Sequence, residues 1–239
     1  NANNSNIAAL DINESVIYNQ GTNANITSNI DIAQGKTLTA TSGITFNATS
    51  GSVNNEGILA GNLTLEGSSN SVTNSGSITT IINNANNSNL TNNSNIGSLK
   101  VYENLTYTGN GSITNALQVA QNKTLTIGSN GTLSFNSKNG SVNNLGTIAG
   151  NLSNVKDSTI TNFTNSGTIS GNLYNEGHID TLTNTGTMGT IYNTSKNTIK
   201  NLLNDKNSVI AEIDNSNGRY DLLQNQGTIL GDINNNNGT

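Results

Sequence analysis

TNSGTISGNLYNEGHIDTLTNTGTMGTIYN, residues Thr164 to Asn193, carries the reading of the whole chain. Its glycines Gly167, Gly177 and Gly186 fall ten and nine residues apart, each preceded two positions earlier by Asn. Each is followed by an apolar pair: Ile169/Leu173, Ile179/Leu182 and Met188/Ile191. Elsewhere the interval doubles, to 19 between Gly57 and Gly76 and 21 between Gly146 and Gly167. Both intervals follow from one coil of about twenty residues, made of short strands joined by Asn/Gly corners.

A longer repeat encloses this one. GSVNNEGILAGNL (Gly51 to Leu63) returns as GSVNNLGTIAGNL (Gly140 to Leu152), offset by 89 residues with three differences. SNIAALDINESVIY (Ser5 to Tyr18) aligns with SNIGSLKVYENLTY (Ser94 to Tyr107) at the same offset. IDIAQGKTLT (Ile30 to Thr39) answers LQVAQNKTLT (Leu117 to Thr126) at offset 87, the slip marking insertions or deletions in turns. The sequence therefore reads as one continuous β-helix over residues 1–239. Within it are two long copies, at about 5–93 and 94–185, and a diverged remainder at 186–239. It begins at Asn1 and has no apolar run of signal-peptide or membrane-span length, and is read as an internal fragment of a longer chain.

Composition agrees with repetition rather than with a compact core. The 239 residues include 51 Asn and 25 Gly but no Pro, Cys or Trp, and only 31% are hydrophobic. Disordered chains of such polarity are usually strongly charged, whereas here 10% of residues are charged and the apolar ones are mainly Ile, Leu and Val. Segments such as KTLTI (Lys123 to Ile127), TLSF (Thr132 to Phe135) and ITFN (Ile44 to Asn47) alternate apolar with polar, the period of a strand buried on one face. Asn and Gly tolerate left-handed backbone, so each apolar pair is followed by a place to turn. Stacked coils of this kind give an all-β, single-stranded, right-handed parallel β-helix of about 20 residues per coil, with like residues in ladders. A narrow column needs few inward residues per coil, which accounts for the low hydrophobic content.

The segments NEGILAGNL (Asn55 to Leu63), NLGTIAGNL (Asn144 to Leu152), NSGTISGNL (Asn165 to Leu173) and NQGTILGDI (Asn225 to Ile233) resemble repeats of type V secreted passenger domains of Gram-negative bacteria. The likeness is to vacuolating-cytotoxin-like autotransporter passengers and, as a close alternative, to filamentous-haemagglutinin-like exoproteins. The resemblance implies a right-handed β-helix displayed on the bacterial surface or secreted across the outer membrane, with the translocator barrel elsewhere. Such passengers include adhesins, aggregation factors and toxins.

Little in the sequence supports catalysis. Net charge is -5 and the nine basic residues are dispersed, which argues against nucleic-acid binding. The single histidine, His178, fills the slot held by Thr168 and Thr187 in neighbouring motifs and reads as an exposed face position. A triad through His178 and Asp180 lacks any Gly-x-Ser-x-Gly elbow. With no cysteine and no calcium-binding pattern, neither a metal nor a cofactor is expected. A β-helical polysaccharide-processing enzyme is the competing class, but the fourteen acids are scattered. A toxin passenger is a third, although no segment here would insert into a membrane.

Two features stand apart. Tyr174 and Tyr192 each follow an inward-reading residue and are 18 apart, so both should face outward, either as a receptor contact or as a stacked ladder step. Lys196 to Asp221 loses the Gly-x-Ile rhythm and holds eight charges, as a loop or an irregular coil would. Candidate receptor contacts are thus Tyr174, Tyr192, His178, Arg219 and Tyr220. The expected partner is a host-cell receptor, glycan or matrix protein, or another copy of the chain. Thr-x-Thr steps such as Thr37/Thr39 do not recur on successive coils as an ice-binding face requires, and Asn-x-Ser/Thr sequons follow from the Asn content.

Overall fold

A computed structural model describes residues 3–128, 131–194 and 196–239. These residues form thirty short strands and no helix. The chain divides into two compact units, one running to Ser112 and one beginning at Ile113. Among the described residues the strand pairings within each unit are parallel, each strand lying against its equivalent one coil on, so each unit is a parallel β-solenoid.

In the first unit, Ile30, Val53, Val72, Leu90 and Tyr107 form one inward ladder. Leu38, Leu59, Ile78 and Ile96 form a second, and Ile44, Leu63, Ile81 and Leu99 a third. The second unit repeats the plan. Leu117, Val142, Phe163, Leu182 and Leu202 form one ladder, Leu125, Ile148, Ile169, Met188 and Ile210 another, and Leu133, Leu152, Leu173, Ile191 and Ile213 the third. These side chains are almost fully buried. Alternation places the intervening residues outside, as the burial pattern of Leu152–Ser153–Asn154 shows.

Asparagine fills further inward positions, beside apolar ones such as Ile160, Ile179 and Ile199. In the second unit Asn144 Nδ2 donates to Asn165 Oδ1 at 2.7 Å, and the chain continues through Asn184, Asn204 and Asn225 at 2.8 Å per step. A second ladder runs from Asn154 through Asn175 and Asn193 to Asn215 at 2.8 Å per step. The other Nδ2 hydrogen of each donor goes to a backbone carbonyl, for example Asn184 to Val209 O at 3.0 Å. In the first unit Asn55, Asn74 and Asn92 form a shorter run that ends on Tyr107 Oη, which donates to Gly111 O. An amide can be buried here because the rungs on either side supply both its donor and its acceptor.

The motif glycines have a different role from the one their sequence context suggests. Gly167 and Gly186 do not adopt positive φ; instead, a Cβ on Gly167 would lie 1.9 Å from Gly146 O, and one on Gly186 2.0 Å from Gly167 O. They are glycine because successive corners stack too closely for any side chain. Positive φ falls instead on other glycines, such as Gly35 and Gly43, on Asn, including Asn87, Asn122, Asn207 and Asn217, and also on Asp157 and Lys196.

The charged stretch from Lys196 to Asp221 runs within the stack. Thr198–Asn204 pairs with His178–Asn184 on one side and Arg219–Asn225 on the other. Val209 and Ile210 pair with Thr187 and Met188, and Ile213 pairs with Ile191. Its charges occupy outward positions, which leaves the apolar ladders uninterrupted.

Candidate functional site

Tyr174 lies in the strand Leu173–Asn175 and Tyr192 in Ile191–Asn193. In both strands the flanking residues are buried, so the tyrosine projects outward and is half-buried. In-register pairing of Tyr174 with Tyr192 brings their rings face to face, with centroids 5.0 Å apart and planes 4° from parallel. Isolated aromatic pairs favour offset or edge-to-face arrangements. The ladder spacing of about 4.8 Å imposes this one. Asn172 Nδ2 approaches Tyr174 Oη at 3.4 Å, while its Oδ1 accepts the Thr190 amide at 3.0 Å.

His178 and Arg219 lie on a different outward ladder, in the order Thr159, His178, Thr198, Arg219. Each pairs with an acid two residues on, at the next outward position of its own strand. His178 Nε2 lies 3.0 Å from Asp180 Oδ1, and Arg219 Nε 2.6 Å from Asp221 Oδ1. All four groups are well exposed, so the pairs define a mixed-charge face and add little stability. Among the described residues no group of three or more His, Cys, Asp or Glu side chains converges.

Tyr220 departs from the sequence reading. It continues the buried column of Ile160, Ile179 and Ile199, so its ring points inward and not onto the outward ladder that holds Arg219. It lines an apolar recess with Ile213, Leu223 and Ile233. Its hydroxyl is buried without a hydrogen-bond partner. Burial, with the negative charge of Asp214 adding to it, pushes this phenol well above the ordinary tyrosine value. The inward phase of Tyr220 was not legible in the sequence because the preceding motif lacks its Gly-x-Ile marker, which hid the inward/outward alternation.

Of the five candidates, then, the structure brings Tyr174 and Tyr192 together, sets His178 and Arg219 on another outward ladder and turns Tyr220 inward. Sequence reasoning missed the serines that continue the tyrosine ladder, Ser153 and Ser134. The 21-residue interval between Leu152 and Leu173 is the signal that places Ser153 beneath Tyr174.

These features define a parallel β-solenoid whose most distinctive outward feature is a stacked tyrosine pair. Compared with protein-family models, curated proteins and solved structures, the chain matches none.

Proposed function

We propose that this chain is a non-catalytic, surface-displayed or secreted β-solenoid that works as an adhesin or aggregation stalk. The observation that carries this reading is the Tyr174–Tyr192 stack, a half-exposed aromatic patch on an outward ladder otherwise made of short polar side chains. Tyrosine presents a large contact area with few rotors to immobilise, which suits an adhesive contact. Laddered hydrogen bonds throughout the column give such a patch a stiff base. The Asn-x-Gly-x-Ile segments resemble those of type V passengers, so the proposed location is the outer surface of a Gram-negative bacterium or its surroundings. The translocator barrel would then lie elsewhere.

The test is binding of the purified chain to an array of glycans and matrix proteins, with hydrolysis of each glycan followed in parallel and sedimentation measured for self-association. Saturable binding to a glycan, a matrix protein or a second copy, without product release, is expected. Release of sugar products would overturn the non-catalytic reading. A strictly monomeric chain that binds nothing on the array would overturn the adhesive one.

A further inference from the structure

The outward ladder through the tyrosines reads Ser134, Ser153, Tyr174, Tyr192, Asp214, Asn234 in successive coils. Ladder rungs lie about 4.8 Å apart, close to the 5.0 Å between the centroids of the Tyr174 and Tyr192 rings. Tyr192 covers one face of Tyr174. On the other face the next rung is Ser153, whose side chain ends one atom beyond Cβ, and the rung after that is Ser134. Both serines are half-exposed. The free face of Tyr174 therefore looks onto a slot over two serine rungs, where a third ring would continue the stack.

The side of the slot repeats the neighbouring rung. Asn172, two residues before Tyr174, places Nδ2 3.4 Å from the phenol oxygen. Asn151, two residues before Ser153, is its equivalent one coil earlier. Its Oδ1 accepts the Asn172 amide at 2.8 Å, as Asn172 Oδ1 accepts that of Thr190. At the Ser153 rung no phenol is supplied for the Asn151 Nδ2 donor. The slot thus offers an aromatic face on one side, hydroxyls at its base and an amide donor at the height of a ring substituent.

We propose that this slot binds one pyranose ring of a neutral glycan. The apolar C–H face of such a ring stacks on Tyr174, and its rim of hydroxyls meets Asn151 Nδ2, Ser153 Oγ and Ser134 Oγ. A flat hydrocarbon or aromatic ring would leave those polar groups without partners, at a cost in desolvation. The far end of the ladder is less suited: Asp214 stands against Tyr192, with its carboxylate held by Ser216 N at 3.0 Å and Ser216 Oγ at 2.5 Å.

This inference rests on the adhesive reading and narrows it to one ligand class and one ring face. Its test is saturation-transfer NMR on the whole chain with methyl β-glucopyranoside, methyl β-galactopyranoside and methyl N-acetyl-β-glucosaminide, run beside the array. Saturation of ring C–H protons is expected for at least one sugar. It should fall about tenfold or more in Tyr174→Ala and in Ser153→Tyr, whose added ring fills the slot as a third rung, and stay within about twofold in Asp214→Asn. Thermal unfolding of Ser153→Tyr, expected to match the parent chain, checks that the column is intact. Unchanged sugar binding in Ser153→Tyr, or loss confined to Asp214→Asn, would overturn the slot. Matrix-protein binding on the array with no sugar saturated would overturn the slot and leave the adhesive reading standing. No binding in either experiment, with a strictly monomeric chain, would remove both.

Discussion

At Gly167 the deciding fact is the 1.9 Å between a would-be Cβ and Gly146 O, a contact with rigid backbone that no rotamer change can relieve. Gly167→Ala must push two corners apart, and by the usual cost of overpacking it should destabilise the second unit by about 3 kcal/mol. Lys196 presents the reverse case, a long side chain on a backbone with φ of 69°. Lys196→Gly relieves left-handed strain but gives the unfolded chain more freedom, so urea unfolding should show a change within about 1 kcal/mol. Equal costs for the two substitutions would show that the motif glycines serve backbone conformation after all. The Asn-x-Gly motif is plain in the sequence, but the reason for its glycine is not, because the crowding carbonyl belongs to the preceding coil.

At the scale of the ladder, hydrogen-bond direction explains the orphaned acceptors. Each Nδ2 donates to the next coil, so the first Asn of a run has no amide behind it. Buried Oδ1 atoms without partners occur at Asn55, Asn144 and Asn154, the starts of the three runs, and at the isolated Asn83. The preceding rungs are Ile32, Val119, Phe135 and Leu65, none of which has a side-chain donor. Val119→Asn would supply the missing donor to Asn144 and move the orphan back one coil. It should change stability by no more than about 1 kcal/mol, whereas Val142→Asn, placed in an apolar column, should cost about 3 kcal/mol or more. A break in mid-ladder is also costly. Asn184→Ala leaves Asn165 Nδ2 one bond short and opens a cavity, a loss of about 2–4 kcal/mol. Denaturant unfolding of the three variants side by side checks this ordering, and a tolerated Val142→Asn would refute it.

Taken as a whole, the molecule keeps few ionisable groups inside, and the clearest shifts belong to two tyrosines, one in each unit. Burial raises the phenol of Tyr107, an effect partly opposed by the hydrogen bond from Asn92, and burial together with Asp214 raises that of Tyr220. A phenol whose folded value lies above its unfolded value of 10.0 stabilises the fold fully below that pH. That stability is lost as pH climbs from there toward the folded value. The protein should therefore be insensitive to these groups at neutral pH and lose stability above about pH 10. Unfolding midpoints measured against pH, with tyrosinate absorbance as a second readout, test this. Tyr220→Phe, which deletes a hydroxyl that has no partner, should be neutral or slightly stabilising at pH 7 and should flatten part of the alkaline loss. A steeper alkaline loss in that variant would contradict the assignment.

The sequence by itself determined the repeat, the strand-and-corner coil and the parallel solenoid. Each depends on local periodicity, and stacking like on like makes one coil's pattern the next coil's environment. It also put Leu173 and Ile191 inside, and Tyr174 and Tyr192 outside, because alternation between neighbouring residues is a local property. Only the tertiary structure decided several contacts one coil away: Gly146 O against Gly167, Val119 behind Asn144, and the inward phase of Tyr220. Those pairings span roughly twenty residues of varying loop length, so a single insertion shifts the register, and register, not composition, decides which side chains meet.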